Sequence, residues 1–364
     1  MVDSVEQHKV RAVVLAGGQG TRFWPVSRSS LPKQFLSIGE NGESLIQATV
    51  RRIEPVVGRD GVRVVANDGL RALVEEHVPH ATFISEPEAK NTAACIGLAA
   101  VYLLSESQEE DPVLIVLPAD HSIKDEEALR RTLREAIEHA RADDVLVTIG
   151  ITPTHAHTGY GYIKQGKKVS GRTHHVERFF EKPNLDRAQK YLESGDYTWN
   201  SGMFVWRASS ILAAFKAYLP SMYQGLMAIK ELLASGSGCN SSEISRIFNS
   251  FESISIDFGV LEHARNSLVV SAERFGWNDV GSWDQWADSF QPDAHGNLIK
   301  GDAVVIDSEG CVVKSDKRLV AAVGLKDVVV IDAGDAVLVV SREHVQDVRK
   351  VVDELKRRGR TELV

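Results

Sequence analysis

Short apolar runs alternate with amphipathic segments along the first 150 residues of the chain. The runs are rich in β-branched residues and apolar at successive positions, a pattern typical of strands covered on both faces. They predict five strands, at 12–16, 62–66, 82–85, 113–117 and 145–149. Between them, helical spacing of apolar residues predicts helices at 45–53, 70–77, 92–104 and 126–141. This alternation predicts an α/β fold with a doubly wound, mostly parallel, Rossmann-like sheet covered by helices on both sides.

The pattern changes twice in the rest of the chain. From 152 to 290 it is less regular, with strands predicted at 159–164 and 175–180, helices at 185–194, 209–218 and 222–233, and a polar loop at 234–242. After 290, Val-rich runs broken by Asp-Gly turns predict a small β domain that ends in a helix at 344–357. We therefore predict a loosely held N-terminus (1–10), a large domain (11–290, divided near 151) and a C-terminal β domain (291–364).

The residues after the first predicted strand combine small and cationic side chains: Gly17, Gly18, Gly20, Thr21, Arg22 and, further on, Lys33. A loop without side chains lets backbone N–H groups reach phosphate oxygens, and two permanent cations neutralise their charge. An ordinary glycine turn is the alternative, but it does not require two cations. The pattern therefore favours a nucleoside triphosphate site.

Two well-known phosphate loops do not fit these residues. The P-loop requires a second glycine where this chain has Arg22, and the dinucleotide fingerprint requires a third glycine where it has Phe23. The pattern G-G-x-G-T-R followed by P-K resembles the sugar-phosphate nucleotidyltransferases. The segments FWPVSR and LPKQF resemble those of the mannose-1-phosphate guanylyltransferase (GDP-mannose pyrophosphorylase) family.

This resemblance implies an activity and an architecture. GMP would pass from GTP to α-D-mannose 1-phosphate, giving GDP-mannose and pyrophosphate, by Mg²⁺-assisted in-line attack of the sugar phosphate on the α-phosphate. Arg22 and Lys33 would stabilise charge on the triphosphate, and Lys182 would position the attacking phosphate. The C-terminal domain would be left-handed β-helix-like, and since such domains often form dimer contacts, a homodimer is expected.

Two carboxylates are candidate Mg²⁺ ligands. Asp120, in LPADH, continues from a predicted buried strand and lies at its carboxyl edge, where a hard oxygen ligand suits Mg²⁺. Capping of the next helix is the alternative role. Asp279, in NDVGSW, is implied by the resemblance to be the second ligand, with Asp284 as a weaker rival.

Further segments match the family's pattern around the nucleotide and the sugar. The resemblance implies that the nucleotide contacts Leu15, Ala16, Gly17, Gly18, Gly20, Thr21, Arg22, Lys33, Glu86, Asn91, Thr92, Pro118 and Asp120. Asn91 and Thr92 also suit a plain helix N-cap, and both roles can hold together. For the sugar phosphate, the motifs TGYGYI, FEKP, WNSGMF and SIDFGVLE supply Tyr160, Gly161, Glu181, Lys182, Asn200 and Asp257.

Composition narrows the setting of this chemistry. The 364 residues are 43% hydrophobic and 25% charged, as in a globular protein, and carry a net charge of −8, which argues against a nucleic-acid partner. The three cysteines are scattered, and neither a signal region nor an apolar run of membrane-spanning length is present. We therefore expect a cytoplasmic enzyme without membrane partners.

Two alternatives to this function remain open at the level of sequence. One is the same chemistry on another base or sugar, such as uridylyl or thymidylyl transfer, because spacing does not identify the residues that read guanine. The other is a non-catalytic sugar-nucleotide sensor, which degenerate loops would indicate. Some relatives carry a further phosphomannose isomerase domain; the length of this sequence predicts no isomerase activity.

Overall fold

The structure, a computed structural model, describes residues 10–39, 42–106 and 111–364. These residues form two compact units. The first takes in the chain up to Gly17 together with Ala48–Ala119 and Ile123–Trp277; the second consists of Gly18–Gln47, Asp120–Ser122 and Asn278–Val364. The predicted loose N-terminus lies outside the described residues except for Val10, which begins the first strand.

A nine-stranded sheet forms the centre of the first unit. Its strands, in chain order, are β1 (Val10–Leu15), β2 (Val62–Asn67), β3 (Thr82–Glu86), β4 (Val113–Pro118), β5 (Leu146–Ile151), β6 (Tyr162–Ser170), β7 (Thr173–Phe180), β8 (Tyr197–Arg207) and β9 (Ser267–Ser271). The spatial order is β3-β2-β1-β4-β8-β5-β9-β7-β6. The four strands at the β3 edge are parallel, as predicted, whereas β8 pairs antiparallel with β4, β5 and β6. The sheet is therefore mixed, and its parallel part carries the first glycines at its carboxyl edge.

In the described residues, eight α-helices connect or follow these strands: α1 (Leu45–Val57), α2 (Arg71–His77), α3 (Asn91–Glu106), α4 (Glu126–Ala142), α5 (Leu185–Ser194), α6 (Ala208–Tyr218), α7 (Pro220–Ala234) and α8 (Ser242–Asn249). Helix α3 is buried at every residue from Ala93 to Val101 because it packs against α6 and α7. A helix that is apolar on all sides is expected to be covered in this way.

The predicted elements of the first 150 residues are all present, with ends shifted by a few residues. Sequence reasoning missed β8, α8 and β9. Strand β8 was overlooked because its polar residues 198, 200 and 201 interrupt the apolar pattern, although Thr198 and Ser201 are buried between neighbouring strands. The predicted strand 159–164 begins only at Tyr162.

The second unit is built from short strands: β10 (Leu298–Lys300), β11 (Ala303–Ile306), β12 (Val312–Ser315), β13 (Val320–Val323), β14 (Val328–Asp332) and β15 (Val337–Ser341). Strands β10, β12 and β14 pair in parallel, so that Leu298, Val312 and Val329 stand side by side in register. Parallel pairing of strands so close in sequence winds the chain into stacked coils, as in solenoid domains. Two helices complete the unit, α9 (Trp283–Ala287) and α10 (Val348–Arg357); a 3₁₀ turn at Arg342–Asp347 replaces the first part of the predicted terminal helix.

The predicted division at 290 would place residues 18–47 with the sheet, but they group with the C-terminal strands. An aromatic core explains this grouping. Phe23 packs on Trp283 with ring centroids 4.8 Å apart. The indole N–H of Trp283 donates to the carbonyl of Trp24, and that of Trp286 to the carbonyl of Ile38. These three tryptophans and Phe23 are buried with the apolar residues of β10, β12 and β14.

Within the described residues, no helix combines the length and the apolar character needed to cross a membrane.

Candidate active site

The glycine loop begins at the carboxyl edge of the parallel strands in the first unit. Leu15 and Ala16 are fixed there because Ala119 donates to the carbonyl of Leu15 and Ala16 donates to the carbonyl of Val65. Gly17 and Gly18 are exposed. A methyl group added to Gly17 would lie 3.2 Å from Oε2 of Glu86, so the loop passes directly over that carboxylate.

In the second unit, Gly20 turns the chain into a short 3₁₀ helix, Thr21–Phe23. Its φ of 62° is in the left-handed region, and a Cβ at this position would lie only 2.3 Å from Cβ of Lys33. Both facts require glycine. The close approach of Gly20 and Lys33 brings together the G-G-x-G-T-R and P-K parts of the sequence pattern.

Lys33 connects the two predicted metal ligands. Its side chain is 5% exposed, and its ammonium nitrogen lies 2.8 Å from Oδ2 of Asp120 and donates over 2.8 Å to the carbonyl of Asp279. Partial burial alone would raise the pKa of Asp120, but the charges of Lys33 and His121 hold it below its ordinary value. The sequence assigned Lys33 to the triphosphate; the structure adds contacts with both proposed metal-binding residues.

The segments of Asp120 and Asp279 are joined by main-chain pairing. Ser122 and Asn278 exchange two backbone hydrogen bonds of 2.8 and 3.0 Å. After Asp279 the chain turns through Val280, whose φ of 46° is unusual for a β-branched residue, and the amide side chain of Asn278 accepts the N–H of Val280. The paired segments and the turn therefore hold Asp279 close to Asp120 in the second unit.

Two further side chains surround Asp279. The amide of Gln285 donates to Oδ1 over 2.7 Å and so holds the carboxylate. A methyl group on Gly281 would lie 2.9 Å from Oδ2 of Asp279 and 3.4 Å from Nη1 of Arg22, which places the guanidinium beside this turn. Arg22 donates to Oε1 of Gln346 over 2.9 Å.

Asp120 and Asp279 offer only hard oxygen donors, which fit Mg²⁺. In the described part of the chain there is no group of three or more His, Cys, Asp or Glu side chains that could hold a metal. A pair of carboxylates suits Mg²⁺, because this ion retains water and takes substrate phosphates as ligands. Asp284, the weaker rival, instead forms an ion pair with Arg342 at 2.9 Å.

Glu86 is a buried carboxylate beside the glycine loop in the first unit. It is 3% exposed and forms no ion pair among the described residues; its Oε1 accepts a 3.4 Å hydrogen bond from the backbone of Lys90. Burial raises the pKa of Glu86 from 4.5 to about 7. A group of this kind is available to accept hydrogen bonds from a ligand.

Among the other nucleotide candidates of the first unit, Asn91 and Thr92 have structural partners. Asn91 begins α3 with a φ of 67°. Its side-chain oxygen accepts a hydrogen bond from the N–H of Thr92, one of the first backbone donors of the helix. The hydroxyl of Thr92 accepts the N–H of Ile256. Pro118 ends β4.

A hydrogen-bonded chain crosses the predicted sugar site. Thr148 and the backbone of Gly202 both donate to Oδ1 of Asn200, whose Nδ2 donates to Oδ1 of Asp257 over 2.8 Å. Asp257 begins a π-helical turn, Asp257–Leu261. Burial and the negative charge of Glu181 raise its pKa from 3.8 to about 6.

Glu181 and Lys182 lie next to this chain. Oε2 of Glu181 is buried without a hydrogen-bond partner in the described structure, and a methyl group on Gly161 would lie 2.6 Å from it. Its other oxygen pairs with the ammonium of Lys182, which is 60% exposed. The motifs TGYGYI, FEKP, WNSGMF and SIDFGVLE thus supply neighbouring groups in the structure.

Tyr160 belongs to an aromatic cluster. Its ring stacks on His157 at 3.8 Å and meets Trp199 and Trp277 edge-on at 5.1 and 5.3 Å. Such rings can pack against the apolar face of a sugar.

Comparison with known proteins decides the family. Residues 11–295 match the model of the nucleotidyl transferase family, and residues 301–355 match the MannoseP isomerase/GMP-like beta-helix domain. The chain belongs to the nucleotidyl transferase family. The predicted combination of an α/β nucleotidyltransferase sheet and a C-terminal β domain is thereby confirmed.

Relatives place the chain more narrowly within this family. It is 40% identical over 96% of its length to a putative mannose-1-phosphate guanylyltransferase of Vibrio cholerae, of which it covers 75%. It is also 40% identical to mannose-1-phosphate guanylyltransferase RfbM of Salmonella typhimurium, with 96% of this chain and 73% of the relative covered. A crystal structure from Thermus thermophilus, described as mannose-1-phosphate geranyltransferase, matches with a TM-score of 0.86 at 35% identity, covering 96% of this chain and 99% of that one. The resemblance seen in the sequence is confirmed.

Sequence reasoning missed the residues that hold the site residues in place. Thr148, Gln285 and Gln346 belong to none of the motifs. Gln285 reaches Asp279 only because α9 follows the Gly281 turn, and Gln346 lies more than 300 positions from Arg22. No local pattern reports such contacts.

Proposed function

We propose that this protein transfers GMP from GTP to mannose 1-phosphate and releases pyrophosphate, as a mannose-1-phosphate guanylyltransferase. The observation that carries the proposal is the position of Lys33, whose ammonium joins Asp120 and Asp279, the acidic residues of two separate sequence motifs. The near full-length identity to guanylyltransferases supports the choice of substrates.

Asp120 and Asp279 would hold the divalent cation, which we propose to be Mg²⁺. When bound, it would supply positive charge to the α-phosphate. Lys33 keeps Asp120 ionised and is itself a fixed cation at the same place. This arrangement favours binding of a polyanion without movement of protein charges.

Arg22, Lys33 and the glycine backbone would bind the triphosphate. Gly17 and Gly18 are exposed and carry no side chains of their own, so their N–H groups would suit phosphate oxygens. Arg22 presents several N–H donors in a fixed plane, which suits the leaving pyrophosphate.

Glu86 would read the base. Guanine presents two adjacent donors, N1–H and the N2 amine, and a carboxylate presents two acceptors. Adenine, uracil and thymine do not present this pair of donors. A buried carboxylate without an ion pair therefore suits guanine, and Asn91, Thr92 and Pro118 would contribute to the wall of the nucleoside site.

Glu181, Asn200 and Asp257 would bind the hydroxyl groups of the mannose ring, since together they offer carboxylate acceptors and one amide. Lys182 would contact the sugar phosphate and orient its attacking oxygen. Tyr160 and Gly161 would line the ring, where the absence of a side chain at Gly161 leaves space next to Glu181.

We also propose a cytoplasmic homodimer. The three cysteines, Cys95, Cys239 and Cys311, are free and buried, as suits a reducing compartment. Apolar side chains are exposed on the strands of the second unit, among them Ile306, Val323 and Val339, and a second copy would cover them.

Pyrophosphate release measures the proposed reaction. Each of GTP, ATP, UTP and dTTP is combined with mannose 1-phosphate or glucose 1-phosphate, with Mg²⁺ and with EDTA. We expect release chiefly from GTP and mannose 1-phosphate, and none with EDTA. Preference for another pair of substrates would change the substrate assignment and leave the proposed mechanism in place. Binding of sugar nucleotides without release of pyrophosphate from any pair would indicate a sensor.

A further inference from the structure

Arg22 differs from Arg28 and Arg342, two other arginines of its unit, in the kind of partner it has. Nη1 donates to the side-chain oxygen of Gln346 over 2.9 Å, and Arg22 forms no ion pair within the part of the chain that the structure describes. Arg28 is paired with Asp335 and Arg342 with Asp284, each at 2.9 Å. The arginine of the phosphate loop is thus bound by a neutral acceptor, whereas Arg28 and Arg342 are each bound by a carboxylate.

The backbone of Gln346 is held in place from both sides. Val345 and Val348 are 4% and 2% exposed and belong to the aromatic core that contains Phe23, so the 3₁₀ turn between them is fixed against the start of the phosphate loop. Helix α10 packs on Thr21–Phe23, and the indole of Trp24 donates to the carbonyl of Leu363. The side chain of Gln346 therefore extends from a rigid support.

A neutral acceptor has a specific effect on a guanidinium. One hydrogen bond restricts the rotamers of the long arginine side chain, which otherwise loses entropy when it binds a ligand. The remaining N–H donors stay available, and the positive charge is not cancelled. A carboxylate would orient the group equally well but would neutralise it and compete with phosphate.

We propose that Gln346 is a positioning residue that orients Arg22 for the triphosphate while preserving its charge. The C-terminal part of the second unit, through the 3₁₀ turn Arg342–Asp347, thereby contributes to nucleotide binding as well as to assembly. This inference rests on the proposed function in one respect, since it takes Arg22 as a triphosphate ligand.

Two substitutions distinguish this role from a purely structural brace. Gln346→Met keeps the length of the side chain but removes the acceptor. Gln346→Glu keeps an acceptor and adds a negative charge. If Gln346 only braces the loop, Gln346→Glu should bind GTP as tightly as the wild-type protein does, because a carboxylate binds arginine at least as strongly as an amide oxygen. If it preserves charge, Gln346→Glu should be the worse variant for nucleotide binding.

The measurements are the dissociation constant for GTP, by titration calorimetry at low salt, and the melting temperature without ligand. We expect binding to weaken roughly threefold in Gln346→Met and tenfold or more in Gln346→Glu, while Gln346→Glu melts at or above the wild-type temperature. Asp335→Asn, which changes the partner of Arg28, serves as control and should leave GTP binding unchanged.

Wild-type affinity in Gln346→Glu, or weaker binding in Gln346→Met than in Gln346→Glu, would overturn the inference. These results are separable from failure of the proposed function. If the wild-type protein binds and turns over a different nucleoside triphosphate, the function is wrong and the same comparison is made with that triphosphate.

Discussion

The ammonium nitrogen of Lys33 lies 2.8 Å from Oδ2 of Asp120. The two residues are 87 positions apart, and the same nitrogen donates to the carbonyl of Asp279. A permanent cation therefore stands between two residues whose carboxylates are the proposed metal ligands. It lowers the pKa of Asp120 against the effect of burial, so Asp120 is ionised throughout the neutral pH range.

Lys33→Ala removes this cation and is expected to reduce turnover roughly a hundredfold or more, as loss of a preorganised charge donor does. Because Asp120 and Asp279 also lose their common partner, the Mg²⁺ concentration that gives half-maximal rate should rise. Pyrophosphate release over a range of Mg²⁺ measures both effects. Lys326→Ala, which changes an exposed lysine of the same unit, is the control. Near-normal turnover in Lys33→Ala would refute the role of Lys33.

Glu86→Gln is expected to stabilise the ligand-free protein in a pH-dependent manner. The folded state raises the pKa of Glu86 from 4.5 to about 7, so between these values the folded protein holds a proton that the unfolded chain has lost. Wild-type stability therefore falls as pH rises through this window, by roughly 3 kcal/mol in all. Melting curves should show equal stability of variant and wild type near pH 4 and an advantage of the variant at pH 8. A constant difference across this range would contradict the raised pKa.

The same carboxylate is expected to distinguish GTP from ITP, which lacks the N2 amine of guanine. Loss of one hydrogen bond to a charged acceptor should cost the wild-type protein roughly tenfold to a hundredfold in kcat/KM. In Glu86→Gln the preference for GTP over ITP should largely disappear, because the amide replaces an acceptor by a donor. An unchanged preference in the variant would show that another group reads the base.

Asp257 is expected to make the use of mannose 1-phosphate pH-dependent. Its pKa is raised from 3.8 to about 6, so below pH 6 the carboxyl is protonated and one acceptor is lost. The KM for mannose 1-phosphate should therefore rise as pH falls from 7 to 5, while the KM for GTP changes less. Asp257→Asn should raise the KM for the sugar phosphate roughly tenfold at pH 7 and remove its dependence on pH. Asp353→Asn, on the exposed side of α10, is the control; a pH profile unchanged in Asp257→Asn would assign the titration elsewhere.

Val339→Asp is expected to weaken the proposed homodimer. Val339 is 67% exposed on β15, and a charge there would have to be desolvated on association. Sedimentation velocity at several concentrations compares the variant with wild type, and Val339→Thr is the size-matched control. A wild-type protein that remains monomeric at all concentrations would reject the dimer itself.

The sequence predicted the candidate site residues because most of them belong to local motifs. The glycine loop and LPADH each come directly after a run of apolar residues that forms a parallel strand, and the residues after a parallel strand lie at the carboxyl edge of its sheet. For the same reason β1 to β5 were predicted to within a few residues. Strand β8 was not, because its polar residues are buried by neighbours that are distant in sequence, so its pattern does not alternate as an isolated strand would.

The sequence by itself therefore determined the family, the parallel part of the sheet and the residue types of the site, since these depend on spacing and on side-chain chemistry. The tertiary structure decided the partners: Lys33 with Asp120, Gln285 with Asp279, Gln346 with Arg22, and the grouping of residues 18–47 with the C-terminal strands. It also decided the raised pKa values of Glu86 and Asp257. Both depend on burial and on charges brought close by folding, and no feature of the linear chain records how far two distant side chains will lie from each other or from water.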